Sequence, residues 1–176
     1  LLFSASETVL APRSTFQVDD PTLDRSCETL LAGTRYDRAT LADEGAVASG
    51  DRIEAVLTVE AKTDLEYLVF EDAKPAGFEA VDLRSGGGVV ARRIRKDAAA
   101  VPAIERRPED YTGEHIAVVR ELRDRRVVTF LDRLPEGFWE LRYVLRAETP
   151  GRFHGLPTVA HAMYVPEIRG NGAEHR

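Results

Sequence analysis

From about residue 51 onward, apolar and polar side chains alternate with a period of two, the signature of half-buried strands. Arg52 to Glu60 predicts the first, Leu65 to Glu71 the second and Phe78 to Leu83 the third, separated by the turn signals Lys62-Thr63-Asp64 and Pro75-Ala76-Gly77. His115 to Leu122 and Val127 to Leu131 predict a hairpin turned by Arg123-Asp124-Arg125-Arg126. Phe138 to Ala147 has the clearest pattern. Leu141, Tyr143 and Leu145 are assigned to one face, and Glu140, Arg142 and Arg146 to the wet one, with Val144 among them. Thr158 to Val165 is the last strand, stopped by Pro166.

Turns every ~8–12 residues, without long amphipathic helices between strands, predict an all-β fold, an antiparallel β-sandwich or barrel. Leu134-Pro135-Glu136-Gly137 is a strong turn, because Pro135 presets φ and Gly137 tolerates φ > 0. It is expected to pair 127–132 with 138–147 and set their register. Two regions do not fit the alternation. Residues 5–50 carry only short candidates, Thr15 to Val18 and Thr29 to Ala32. Residues 84–113 hold Gly86-Gly87-Gly88, the basic cluster Arg92, Arg93, Arg95 and Lys96, and then Pro102 and Pro108. This segment is read as a long insertion loop with one short helix near 89–100.

Composition adds boundaries rather than a function. The 176 residues suit one domain, 1–176, and 43% hydrophobic content suffices for a core. A net charge of −6 argues against a nucleic-acid partner, and no apolar run reaches the ~18 residues of a membrane span. Cys27 is the only cysteine, so no internal disulfide is expected. Arginine outnumbers lysine twenty-one to three, which is read as biased codon usage with guanidiniums scattered over a solvated surface, ahead of bidentate anion recognition. The chain begins with Leu1 and no leader follows, so either a processed product or a piece of a longer protein is expected.

The search for chemistry ends without an active site. No nucleophile elbow is present, and Cys27 lacks the flanks of a catalytic cysteine. His154 and His161 lack metal-ligand spacing, and Glu71-Asp72, the best-placed acidic pair, suits a solvated strand end. No catalytic, metal or cofactor site is assigned. The cluster Arg92, Arg93, Arg95 and Lys96 remains as a place for partner docking by electrostatics.

An ordered set of segments carries a resemblance: Gly50 to Ile53, Pro75 to Glu79, Arg123-Asp124, Phe130 to Gly137, Leu141 to Tyr143, Arg146-Ala147, Pro150 to Phe153, Ala162 to Glu167 and Gly170-Asn171. Residues 50–171, most clearly from 114, resemble the C-terminal macroglobulin-like, receptor-binding-type domain of the bacterial alpha-2-macroglobulin family. The resemblance implies a non-catalytic β-sandwich within an exported, periplasmic or envelope-associated endopeptidase inhibitor. Its partners would be the other domains of the parent protein, above all a thioester-type domain, and through the full-length protein its target proteases. The family's Cys-x-Glu-Gln thioester pattern is absent, since Cys27 is followed by Glu28 and Thr29. Pro135 and Gly137 are expected as structural turn residues, and Tyr164 and Pro166 as an ordered terminus near a sheet edge. The alternative is a stand-alone carbohydrate- or protein-binding sandwich, with Trp139 and Tyr111 as exposed aromatic contacts and Trp139 otherwise packed at a hairpin edge.

Overall fold

The computed structural model describes residues 2–15, 34–42, 44–81, 89–165 and 167–172. The expected sandwich is present as two antiparallel sheets that share one strand. The first sheet holds β1 (Leu2–Thr15), β2 (Thr34–Thr40), β3 (Arg52–Ala61), β5 (Phe78–Val81), β6 (Val89–Ile94) and β9 (Gly137–Ala147). The second holds β4 (Leu65–Ala73), β8 (Arg126–Leu134), β10 (Val159–Ala162) and β11 (Arg169–Asn171). The shared strand is β7 (Tyr111–Leu122): its first part pairs with β6, and residues 119–122 pair with β8. The edge strand β11 comes against β1, so the sheets curl toward closure.

Core registration follows the alternation. Ile53 opposes Leu145, Ala55 opposes Tyr143, Leu57 opposes Leu141 and Val59 opposes Trp139. Leu68, Phe70 and Leu131 line the facing side of the second sheet. β3 and β9 thus contribute every second side chain to one apolar layer between the sheets.

Four expectations need correction. The first fifty residues contain a 14-residue strand, β1, which pairs along β3 from Leu2 to Leu10. Its sequence breaks strict alternation, so partners rather than pattern define it. Of the two short candidates there, only Thr15 falls within the described residues. Second, segment 84–113 is not a loop throughout. Val89–Ile94 is a strand between β7 and β9, and among the described residues of the segment the helical content is one 3-10 turn at Lys96–Ala98 and another at Pro108–Asp110. Third, β8 and β9 lie in different sheets, so Leu134 to Gly137 crosses between layers instead of closing a hairpin. Fourth, the last predicted strand ends at Ala162, and Met163 to Val165 and Glu167 belong to the β10–β11 connection. The Arg123 to Arg126 hairpin turn is as expected, closed by the Arg123 amide on the Arg126 carbonyl at 3.0 Å.

Candidate functional site

β3 is buried on both faces. Val56 points away from the sandwich core and is nevertheless only 1% exposed. Residues 95–110 cover this outer face. Their ends are adjacent, because Ile94 pairs with Tyr111 and the Arg95 amide donates to the Asp110 carbonyl at 2.8 Å. Beneath them lies a cluster of charges. Glu140 on β9, 1% exposed, receives hydrogen bonds from Arg106 at 2.6 Å, Tyr111 at 2.7 Å and Arg142 at 2.5 Å. Arg142 also donates to Glu54 at 2.9 Å and to the Ala103 carbonyl at 3.1 Å, and Arg106 donates to Thr58 at 3.0 Å.

Burial opposes ionisation of Glu140. Hydrogen bonds and charge from Arg142, with hydrogen bonds from Tyr111 and Arg106, outweigh it and hold the carboxyl below its ordinary range. Burial pushes the Tyr111 phenol up to about 12, against the opposing charge of Arg142. The alternation alone assigns Glu140 and Arg142 to a wet face. Period two identifies two faces of a strand but does not say whether another segment covers the second.

The four basic residues 92, 93, 95 and 96 do not converge on one patch. Strand alternation sends Arg92 and Arg93 to opposite faces. Arg92 lies 5.9 Å from the Tyr111 ring centre, and Arg93 lies 5.6 Å from that of Trp139. Arg93 also pairs with Glu114 at 2.5 Å and donates to the Glu136 carbonyl at 2.9 Å. Arg95 pairs with Asp97 at 2.8 Å, and Lys96 is exposed. The crossing at Pro135 is held by Trp139, whose indole donates to the Pro135 carbonyl at 2.9 Å, and by the Glu136 amide on Asp64 at 2.9 Å. Gly137 has φ +140°, a conformation that L side chains rarely adopt. Trp139 itself is core, 2% exposed, and Tyr111 is committed to the buried cluster. Neither aromatic is available as the surface contact the alternative reading requires. Pro166, Cys27 and Gly86 to Gly88 lie outside the described residues.

A different aromatic group is exposed. Tyr164 is 73% exposed and Tyr67 46%, with Met163 and Val165 beside Tyr164 also exposed. The two rings meet edge to face, 5.1 Å between centres. Tyr67 has φ +53°, rare for a bulky residue. Around it the alternation resets: Glu66 and Tyr67 both face solvent, while Leu65 and Leu68 are buried. The Tyr67 carbonyl accepts the Met163 amide at 2.8 Å, which ties the β10–β11 connection to β4. The left-handed backbone of Tyr67 and the exposed apolar side chains therefore share one corner of the second sheet.

Residues 24–167 match the family model described as the bacterial alpha-2-macroglobulin MG10 domain. The chain belongs to the bacterial alpha-2-macroglobulin family. Two relatives are 27% identical over 128 residues, 73% of this chain. They are an alpha-2-macroglobulin homolog from Nostoc sp. and an alpha-2-macroglobulin from Xylella fastidiosa. The chain spans only 6% and 7% of their respective lengths. Escherichia coli alpha-2-macroglobulin activated by porcine elastase shares the fold, with TM-score 0.58 and 20% identity over 100% of this chain and 13% of that one.

The remaining candidates of this macroglobulin domain have structural partners. Glu71 pairs with Arg126 at 3.0 Å, and Asp72 accepts hydrogen bonds from Tyr143 and from Thr158, the latter at 2.6 Å. His161 is half-buried in the β10 ladder, opposite Val69 and Arg169. Among the described residues no group of His, Cys, Asp and Glu could hold a metal, and no helix is long and apolar enough to cross a membrane.

Proposed function

We propose that this domain is a non-catalytic docking module of an exported, alpha-2-macroglobulin-like endopeptidase inhibitor. It acts by packing its aromatic corner onto a neighbouring, thioester-type domain of the parent protein. The observation that carries this reading is the corner itself: Tyr164, Tyr67, Met163 and Val165 exposed together at one end of the second sheet. Apolar groups so grouped gain by being removed from water against a partner surface. Family membership, and the small share of its relatives' length that the chain spans, support a role inside a larger protein.

The test is covalent footprinting of the tyrosines in the isolated chain and in the full-length parent, beside a trapping assay with a serine endopeptidase. Tyr67 and Tyr164 should be labelled in the isolated chain and shielded in the parent, and Tyr164→Ser should weaken trapping. Equal labelling in both forms would exclude docking through this corner. A parent that leaves endopeptidase activity on large substrates untouched would exclude the inhibitor reading.

A further inference from the structure

We propose that residues 95–110 are a latched strap, which opens as a unit from the outer face of β3 and β9 while the sandwich stays folded. The latch is the charge cluster joining Arg106 to Glu140, Arg142 and Glu54. The inference does not depend on the docking reading above.

The geometry permits such a motion. The two ends of the strap leave one point of the β6–β7 ladder, so swinging it away breaks no strand pairing. The strap also carries its own framework. The Val101 amide donates to Ala98 at 3.1 Å, Glu105 to Pro102 at 2.9 Å, and Asp110 to Arg107 at 3.0 Å. Compact loops of this length with adjacent ends behave as separate packing units.

The chemistry of the contact makes the closed position specific rather than strongly favoured. In the strap only Ala98 is a buried apolar residue, with Ala99, Val101, Ala103 and Ile104 half-buried. Its grip on the sheet is ionic: Arg106 reaches Glu140 and Thr58, and the Ala103 carbonyl receives Arg142. Desolvation offsets much of the attraction in a buried ion pair. Arg106 Nε is buried without a hydrogen-bond partner among the described residues, which reduces the gain further. The charged and titratable groups facing the latch are Glu54 from β3, Glu140 and Arg142 from β9, Tyr111 from β7, and Arg92 from β6 over the Tyr111 ring. A segment with few apolar contacts and ionic anchors opens before the core does. When it opens, Val56 and the charges of β3 and β9 become accessible.

Hydrogen exchange on the 176-residue chain tests this. The amides of Val101 and Glu105, each held by a single turn that frays once the strap has left the sheet, should exchange through an opening that leaves β3, β4 and β9 protected. Arg106→Met should raise strap exchange by about a hundredfold or more, the fold-change matching loss of a buried ion-pair partner, and leave β4, β8 and β10 unchanged. Arg106→Lys, which keeps the charge, should retain most of the protection. Exchange of strap and core at one common rate in the unmodified chain would overturn the strap. Equal effects of the Met and Lys variants would overturn the charge latch.

Discussion

The phenol of Tyr143, on β9 of one sheet, donates a hydrogen bond to the carboxylate of Asp72, on β4 of the other. Thr158 donates to the second oxygen of the same carboxylate at 2.6 Å, and Arg120 lies 5.5 Å from the Tyr143 ring centre. One carboxylate thus ties both sheets and the entry to β10. Tyr143→Phe keeps the ring in the core and removes one donor. It is expected to cost about 1–2 kcal/mol, and Asp72→Ala more, about 2–3 kcal/mol, because it strands two buried hydroxyls. Urea unfolding monitored at Trp139 measures both. Losses below about 0.5 kcal/mol for both variants would mean that the apolar layer alone joins the sheets.

Gly137 and Gly50 separate backbone strain from crowding. Both have positive φ, +140° and +92°. A Cβ on Gly50 meets nothing within 4 Å, whereas one on Gly137 comes within 3.1 Å of Arg93 Nε. Arg93 is anchored by Glu114, Glu136 and the Trp139 ring and yields only by giving these up. Gly50→Ala is expected to cost about 1 kcal/mol and Gly137→Ala about 2–3 kcal/mol. Thermal melts that rank them in the reverse order would remove Arg93 from the account of the crossing.

Stability should respond to pH at both extremes through the buried cluster. The Tyr111 phenol titrates near 10 when unfolded and is pushed up to about 12 in the fold. Its contribution is complete below pH 10 and is lost as pH rises from 10 toward 12, by at most about 3 kcal/mol. Glu140 is depressed, so its contribution is complete above the ordinary carboxylate range and is lost as pH falls through its lower folded value. Urea midpoints should therefore decline steeply above pH 10 for the natural chain and more gently for Tyr111→Phe. Parallel slopes would place the phenol outside the cluster.

Gly77 makes room for Phe153. A Cβ at position 77 would lie 2.2 Å from Phe153 Cε2, so the ring must leave, and with it the edge-to-face contact with Phe78 at 6.5 Å. Gly77→Ala is expected to cost about 1–3 kcal/mol. In Phe153→Ala, which already lacks the ring, the same change should cost markedly less. Additive losses in the double variant would show that the ring does not occupy this place in solution.

Much of the strand pattern was legible because it is local. β3 and β9 alternate under their own periodicity, β4 and β8 are short apolar runs bounded by turn signals, and the Arg123 to Arg126 turn falls between two apolar runs. The strand in 89–94 was hidden. Val89-Val90-Ala91-Arg92-Arg93-Ile94 places two adjacent arginines on opposite faces, where Arg92 lies over the Tyr111 ring and Arg93 lies over the Trp139 ring and pairs with Glu114. The aromatic corner was hidden for a related reason. Tyr67 lies inside a run that reads as regular strand, and only its left-handed φ turns the ring outward toward Tyr164.

The sequence by itself determined the all-β class, the lack of a cysteine framework, the positive-φ glycine at the crossing and the family, since each rests on residue type and short-range order. Tertiary structure decided the rest. It sent β8 and β9 to different sheets, laid the strap over β3, and turned Glu140 and Arg142 from a supposed wet face into a buried ionic cluster. A period of two marks two faces of a strand. Which of them meets water depends on segments that arrive from far along the chain, and that is a property of the folded whole.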